Sequence, residues 1–589
     1  MLKPDDIREL LPLLLALPVL AAILLPLLAR NGLGARRSAL ALAIVHLVLT
    51  GFIVAAAYRP LADRRASAAT PAQRGIVFAP EFVPGSPRIM QDEAGKQDVD
   101  PHGTSWDVLP FSSGDPKVRG IQFYIGLDGL NVWLVLLTSL MTVPVILYSW
   151  GSVREREAAY YGWLFLLQAG LLGVFLAFDV ILFYVCFELT LVPLFFLIGG
   201  WGGGASRREA ARKLFLYTLA GGLITLLGIG GTVLAVYSRT GTLTFSIPEL
   251  AALIQQRLTM DNPAEQAFWR DIQPYLFLTL AVGFAVKTPL VPFHSWLPAA
   301  YAEGPLGVTV MLSALLAKMG VFGLVRLCLP FAPDAALSVG LPVIGTLGAI
   351  GIVYGALCAY AQPDFKRLVA YSSVSHLGFC ALALVAFNAQ GIAGGVLHMV
   401  NHGLSTGAMF LVVGMLVDRY TSGQIRDYSG IWARLPVLTF FMMVFGLASI
   451  GLPVLNNFVS EMLMMSSLFD LRNAHATSLT LAVAAAAGIF LSAWYTLTMV
   501  RRAFFGPLRE PVAADVGPAP DLSRRELLTV GPLAAFCLVI GIAPQPLLDA
   551  MKRDTDTLAR IADESRARLN YPTTSYGVPP SAGGPALAR

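Results

Sequence analysis

The chain has 589 residues, 56% of them hydrophobic and only 13% charged, with a net charge of +5, whereas soluble domains carry about 25% charged residues. That balance excludes a soluble enzyme and gives no nucleic-acid signal; it defines an integral membrane protein embedded over almost its whole length. The five cysteines, Cys186, Cys328, Cys358, Cys380 and Cys537, make no C-x-x-C pair, which argues against an iron–sulfur site, a zinc site or a disulfide frame.

Apolar runs of about 20 residues or more mark membrane spans. They fall at 9–29, 39–58, 126–149, 160–178, 180–199, 213–237, 274–298, 306–329, 338–360, 368–387, 392–417, 436–469, 477–503 and 527–546. The expected fold is therefore an all-α polytopic membrane protein of about fourteen transmembrane helices. The first run is read as a span and not a cleaved signal, because it is long, holds prolines and lacks a small-residue cleavage site. The Gly199–Gly204 run follows a membrane helix and lacks the spacing of a dinucleotide loop. Two connections are long: 59–120 is polar and aperiodic, and 238–273 holds an amphipathic helix around Glu249–Leu258. After Leu548 a tail is expected, ending in a Pro/Gly/Ser-rich stretch.

Orientation follows from lysine and arginine in the short connections. Arg30, Arg36 and Arg37 follow the first span, and Arg207, Arg208, Arg212 and Lys213 the fifth. Lys366 and Arg367 follow the ninth, Arg419, Arg426 and Arg434 the eleventh, and Arg501, Arg502, Arg509, Arg524 and Arg525 the thirteenth. The connections around Asp179, Asp334 and Ala389 are nearly free of positive charge. The odd-numbered connections therefore face the cytoplasm, and both termini face the outside.

Two spans should be broken. The stretch from Phe284 to Pro298 carries Lys287, His294 and the prolines Pro289, Pro292 and Pro298 inside an apolar segment. Each proline removes a backbone donor and clashes with the preceding turn, so the helix breaks near Pro289 and Pro292. In lipid, freed backbone groups survive only when buried in protein or lining a water-filled cavity. A second break lies near Gly451-Leu-Pro453-Val-Leu-Asn456-Asn457. If spans 4–8 and 9–13 are two five-helix units, each break falls on the fourth helix of its unit. An odd helix count inverts the second unit, and matched interruptions in inverted halves point to a transport pathway at the midplane. The domain reading is 1–125 (two helices and the long connection), 126–159 (helix 3), 160–329 and 338–503 (the two repeats), and 504–589 (helix 14 and tail).

Each charge at a bilayer centre costs roughly 2.5–3.5 kcal/mol, so those present are functional candidates. Glu188 lies mid-span, Lys287 at the first break, Lys318 in the eighth span and Glu461 in the half-helix after the second break. Glu188 and Lys287 make the natural pair: the carboxylate holds a proton on the buried lysine, and moving it away releases that proton. A static packing pair is the alternative. His398 and His402 share one helix face at i and i+4. Such a pair can reach one metal ion, but no third ligand is evident, and no metal is assigned. His376 reads equally as a relay member or as a helix-packing hydrogen bonder, and His294 is a further candidate beside the first break. His46 reads as packed or at the lipid edge; His102 and His475 fall in outside connections and carry no assignment.

The motifs that hold these residues are those of a known family. They are Ile125-Gly-Leu-Asp128-Gly-Leu-Asn131, Leu182–Gly203, the Lys287–Pro298 stretch, Leu316-Ala-Lys318-Met-Gly320, Asp364–His376 and Asn401-His402-Gly-Leu-Ser-Thr406. Over about residues 120–510 the chain resembles the antiporter-like membrane subunits of respiratory complex I (NADH–quinone oxidoreductase), most closely the M type, chain 4 in mitochondria. The resemblance implies fourteen helices with inverted five-helix repeats at 4–8 and 9–13, broken helices 7 and 12, and a proton pathway along a hydrated axis. It assigns that pathway to Glu188, Lys287, Lys318, His402 and Glu461; His294, His376 and His398 stand beside them as further candidates from the residues themselves, not from the resemblance. It implies no cofactor in this chain, since flavin, iron–sulfur clusters and quinone sit in partner subunits. The implied partners are the other membrane-arm subunits, above all the L and N types, and the implied location is the bacterial inner membrane with periplasmic termini. Glu461 separates the M type from its cousins, which usually have lysine there. The chain departs from the family pattern at His398, at Ala299-Ala300-Tyr301 and at the second break, where two glycines are replaced. The rival readings are a multi-subunit cation/proton antiporter, and the membrane partner of a hydrogenase or bicarbonate-uptake module.

Overall fold

The computed structural model describes residues 4–29, 31–63, 80, 82–85, 89–91, 97–99, 104, 106–110, 117–469, 476–514 and 518–571. His102 and His475 lie outside these. Among the described residues, twelve helices are long and apolar enough to cross a membrane, from Ile7–Leu28 to Arg524–Ile542. Two interrupted segments fill the expected seventh and twelfth places: Pro263–Lys287 followed by Trp296–Glu303, and Pro436–Ser449 followed by Asn456–Leu468.

Short polar residues between the apolar runs start the helices. The Asp179 carboxylate accepts from the Ile181 and Leu182 N–H groups at 2.8 and 3.1 Å. Asp364 does the same for Arg367 N–H, and Asn388 for Gly391 N–H. Ser523 and Glu526 close a reciprocal capping box ahead of the last span. The expected amphipathic helix is present as Ile247–Leu258. The described parts of the long 59–120 connection form two small antiparallel pairs, one of them with Ile121–Gln122.

Burial grades from rim to centre and decides where charge can sit. The most apolar windows of Ile7–Leu28 and Arg524–Ile542 are 28% and 33% buried in protein, whereas that of Leu306–Phe331 is 100% buried and those of Phe365–Val385 and Ala389–Tyr420 are 94%. The three central helices are the ones that carry Lys318, His376, His398 and His402. Lipid supplies no hydrophobic drive between helices, so close backbone approach holds the centre together. Gly320 is one such contact: a Cβ there would collide with the Phe284 carbonyl and with Thr288, at the edge of the first break. The Lys318 segment is thereby seated against the Lys287 segment.

The tail expected after Leu548 is instead a helix, Gln545–Arg568. It carries too much charge to register as a span, yet one face, with Leu547, Met551, Leu558 and Ile561, is buried. It lies along the arginine-poor face, against the second and eleventh spans. Asp554 accepts from Gly129 N–H at 2.7 Å, Arg566 donates to the Ala386 and Phe387 carbonyls at 3.1 and 3.0 Å, and Arg568 pairs with Asp334 at 2.7 Å.

Candidate functional site

The first break is a re-satisfied interruption. The helix ends at Lys287, a single 3-10 turn spans Phe293–Ser295, and a helix resumes at Trp296. Backbone groups freed by the prolines are partly reused: Leu290 N–H donates to Ala285 O at 2.9 Å, and the Trp296 indole N–H donates to Val286 O at 2.9 Å.

Lys287 is fully buried at this break. Its Nζ donates to the Phe187 carbonyl at 3.2 Å and sits 3.9 Å from the Phe187 ring centroid. The expected Glu188–Lys287 pair is therefore not a closed ion pair. The lysine is held by the carbonyl of the residue before Glu188, and the Glu188 oxygens take no hydrogen bond. Glu188 is only half-buried and lies against Gly222. Both of its carboxylate oxygens are buried within the chain.

Lys318 follows a π-helical turn, Leu312–Leu316. Such turns re-aim backbone carbonyls and occur often at functional sites. Here the Ser313 carbonyl accepts from Lys318 Nζ, and the same Nζ lies 2.7 Å from His402 Nδ1. His402, His398 and His376 then form a triangle, with ring centroids 5.4 Å (376–402), 5.7 Å (376–398) and 5.9 Å (398–402) apart. His376 Nδ1 is 3.5 Å from Glu461 Oε1. A buried line Lys318–His402–His376–Glu461 thus runs from the eighth span to the second break. His376, left open by sequence, lies on that line. His294 lies apart, against Tyr354 and Tyr371 at 5.2 and 6.3 Å between rings.

The second break is locked by amides. Asn401 Nδ2 donates to the Asn456 carbonyl at 2.7 Å, and Asn456 Nδ2 donates back to the Asn401 carbonyl at 2.9 Å. Gly451 adopts φ +69° and faces the Glu461 carboxylate, so a Cβ there would be both strained and in collision. Val454 also has positive φ, +76°. A β-branched residue in that region costs about 1–3 kcal/mol, and the side chain is 55% exposed, so it packs little in return. Val454→Gly is expected to raise the thermal midpoint of the purified protein, by a stabilisation of about 1 kcal/mol. A lowered midpoint would show that the substituted break is not strained.

A cavity of about 10 Å³ touches His376 and Glu461 and is bordered by Ser492. A second, of about 650 Å³, opens on the arginine-rich face between Tyr360, Tyr495, Met499, Arg502 and Arg509. Ser492, Tyr495 and Met499 share one face of the Leu479–Phe504 helix, with Ser492 at the small cavity and Tyr495 and Met499 at the large one.

Sequence reasoning missed the pairing of Asp128 with Arg326. Arg326 is fully buried in the eighth span, donates to both Asp128 carboxylate oxygens, one of them at 3.1 Å, and lies 4.6 Å from the Phe178 ring. An arginine inside an apolar run is the same signal that singled out Lys318.

The family profile described as "NADH:quinone oxidoreductase/Mrp antiporter, TM" matches residues 177–490. NADH-quinone oxidoreductase subunit M of Pseudomonas aeruginosa is 38% identical over 437 residues, covering 73% of this chain and 81% of that protein. In the solved structure of respiratory complex I from Thermus thermophilus, one chain superposes with a TM-score of 0.71 at 26% identity, over 93% of this chain and 99% of that one. A chain of the Mrp complex from Dietzia sp. reaches a TM-score of 0.71 at 18% identity, over 97% of this chain and 99% of that one, a likeness of fold alone. With a profile match over more than half its length and a relative this close over most of it, the chain belongs to the NADH:quinone oxidoreductase/Mrp antiporter transmembrane family, among its subunit M (chain 4) members.

Proposed function

We propose that this chain is a proton-translocating membrane-arm subunit of an energy-converting NADH:quinone oxidoreductase. The observation that carries the reading is the buried line from Lys318 through His402 and His376 to Glu461, with Lys287 and Glu188 behind it. Electron chemistry belongs to partner subunits that hold flavin, iron–sulfur clusters and quinone. The L- and N-type subunits flank this one in the bacterial inner membrane. The arginine-rich face is cytoplasmic, both termini are periplasmic, and 160–329 and 338–503 form the two inverted units.

Redox energy arrives through a neighbouring subunit and acts on Glu188. When that carboxylate shifts or is discharged, Lys287 loses the charge that favours its ammonium form and releases a proton. Lys318 passes a proton to His402 Nδ1. Each imidazole can accept on one nitrogen and release from the other, which carries the proton across the histidine triangle to His376 and then to Glu461. From Glu461 the Ser492–Tyr495–Met499 face offers a route to the arginine-rich side.

A cation/proton antiporter subunit is the second reading, favoured by the shared Mrp fold. Vesicles containing the assembled complex separate the two: NADH addition in the absence of sodium is expected to drive proton translocation, and sodium-for-proton exchange on adding sodium without NADH would overturn the reading.

A further inference from the structure

We propose that His376, His398 and Glu461 form a binding site for one divalent transition-metal cation of the zinc type, placed on the proton route itself. Spacing alone suggests His398 with His402, a pair lacking a third ligand. The fold arranges the residues differently. His402 is engaged with Lys318, while one ligand atom each from His376, His398 and Glu461 lie within 4.8 Å of one another, all buried. Two histidines and a carboxylate are a recurrent zinc donor set, and a zinc tetrahedron needs ligand atoms about 3.3 Å apart. Side-chain movements of an ångström or so therefore close the site.

Two further observations point to a ligand here. Ser460 Oγ lies 2.9 Å from His398 Nδ1, which fixes that ring and leaves Nε2, buried, with no hydrogen-bond partner. A hydrogen bond to the far nitrogen is how metal-ligating histidines are usually held. Glu461 Oε1 is buried without a hydrogen bond as well. The adjacent cavity of about 10 Å³ admits roughly one water or ion. The cation on this route, Lys318, is engaged by the Ser313 carbonyl and His402. A bound metal would occupy the atoms His376 and Glu461 need for proton transfer. That blocking consequence rests on the proposed proton route, whereas binding itself does not.

The test uses the purified, assembled complex, stripped with chelator, equilibrated with micromolar free zinc and passed through gel filtration. The wild type is expected to retain one zinc more than His398→Gln, whose site affinity falls by more than about 100-fold. Zinc-edge absorption should show two imidazoles and one carboxylate at about 2.0–2.2 Å. His398→Cys should keep the metal and add a sulfur neighbour at about 2.3 Å. His376→Asn carries the same expectation as His398→Gln, should the latter not assemble. Equal zinc retention in wild type and variants, or a zinc spectrum of His398→Cys without sulfur, would overturn the site. A filled site with undiminished proton pumping would leave the site standing and refute the proton route through Glu461.

Discussion

Lys318→Met will all but stop NADH-driven proton translocation while leaving the chain as stable as before, or more so. The side chain keeps its length, but the Ser313 carbonyl and His402 Nδ1 lose their shared donor. Without that ammonium no group in the eighth span hands a proton to His402, so the transfer step into the histidine triangle is lost. Stability moves the other way, because a buried ammonium costs roughly 2.5–3.5 kcal/mol within a bilayer. Lys318→Arg should not rescue translocation: a planar fork that keeps its charge cannot hand a proton on. The check is proton translocation per NADH oxidised in vesicles, together with the thermal midpoint of the purified complex. Normal pumping by Lys318→Met would remove this residue from the route.

The second large effect concerns folding. Asp128 and Arg326 form a fully buried pair between the start of the third span and the eighth. Removing one partner of such a pair strands the other charge and costs about 3–5 kcal/mol. Arg326→Met and Asp128→Asn are each expected to deplete the folded chain in membranes. Combining the two removes both charges and should restore most of the loss, since apolar replacement of a buried pair is often neutral or stabilising. Normal accumulation of the single variants, or no recovery in the double, would show that the pair does not hold these elements together.

Most of the fold is legible because the bilayer imposes it. A span must be about 20 apolar residues long, and prolines in two of them mark the breaks now seen after Lys287 and after Ser449. The charged residues stand out for the same reason, being rare and costly in apolar runs. What composition could not give was their contact geometry. Glu188 and Lys287 were natural partners by chemistry, yet the lysine binds a carbonyl one residue away. His398 and His402 share a face, yet one turns to Ser460 and the other to Lys318. The family resemblance assigned roles to Lys318, His402 and Glu461, and the fold sets His376, which sequence left open, between the last two. The Gln545–Arg568 helix escaped because a search for hydrophobic length discards a charged amphipathic helix; Leu547, Met551, Leu558 and Ile561 carry its 3.6-residue period plainly.

On the proposed route, protons pass through this chain by way of its buried lysines. The most direct measurement is NADH-driven proton translocation by the assembled complex carrying Lys287→Met, reconstituted in sealed vesicles. Loss of translocation with the complex intact is the predicted result. Translocation at the wild-type stoichiometry per NADH would contradict the claim.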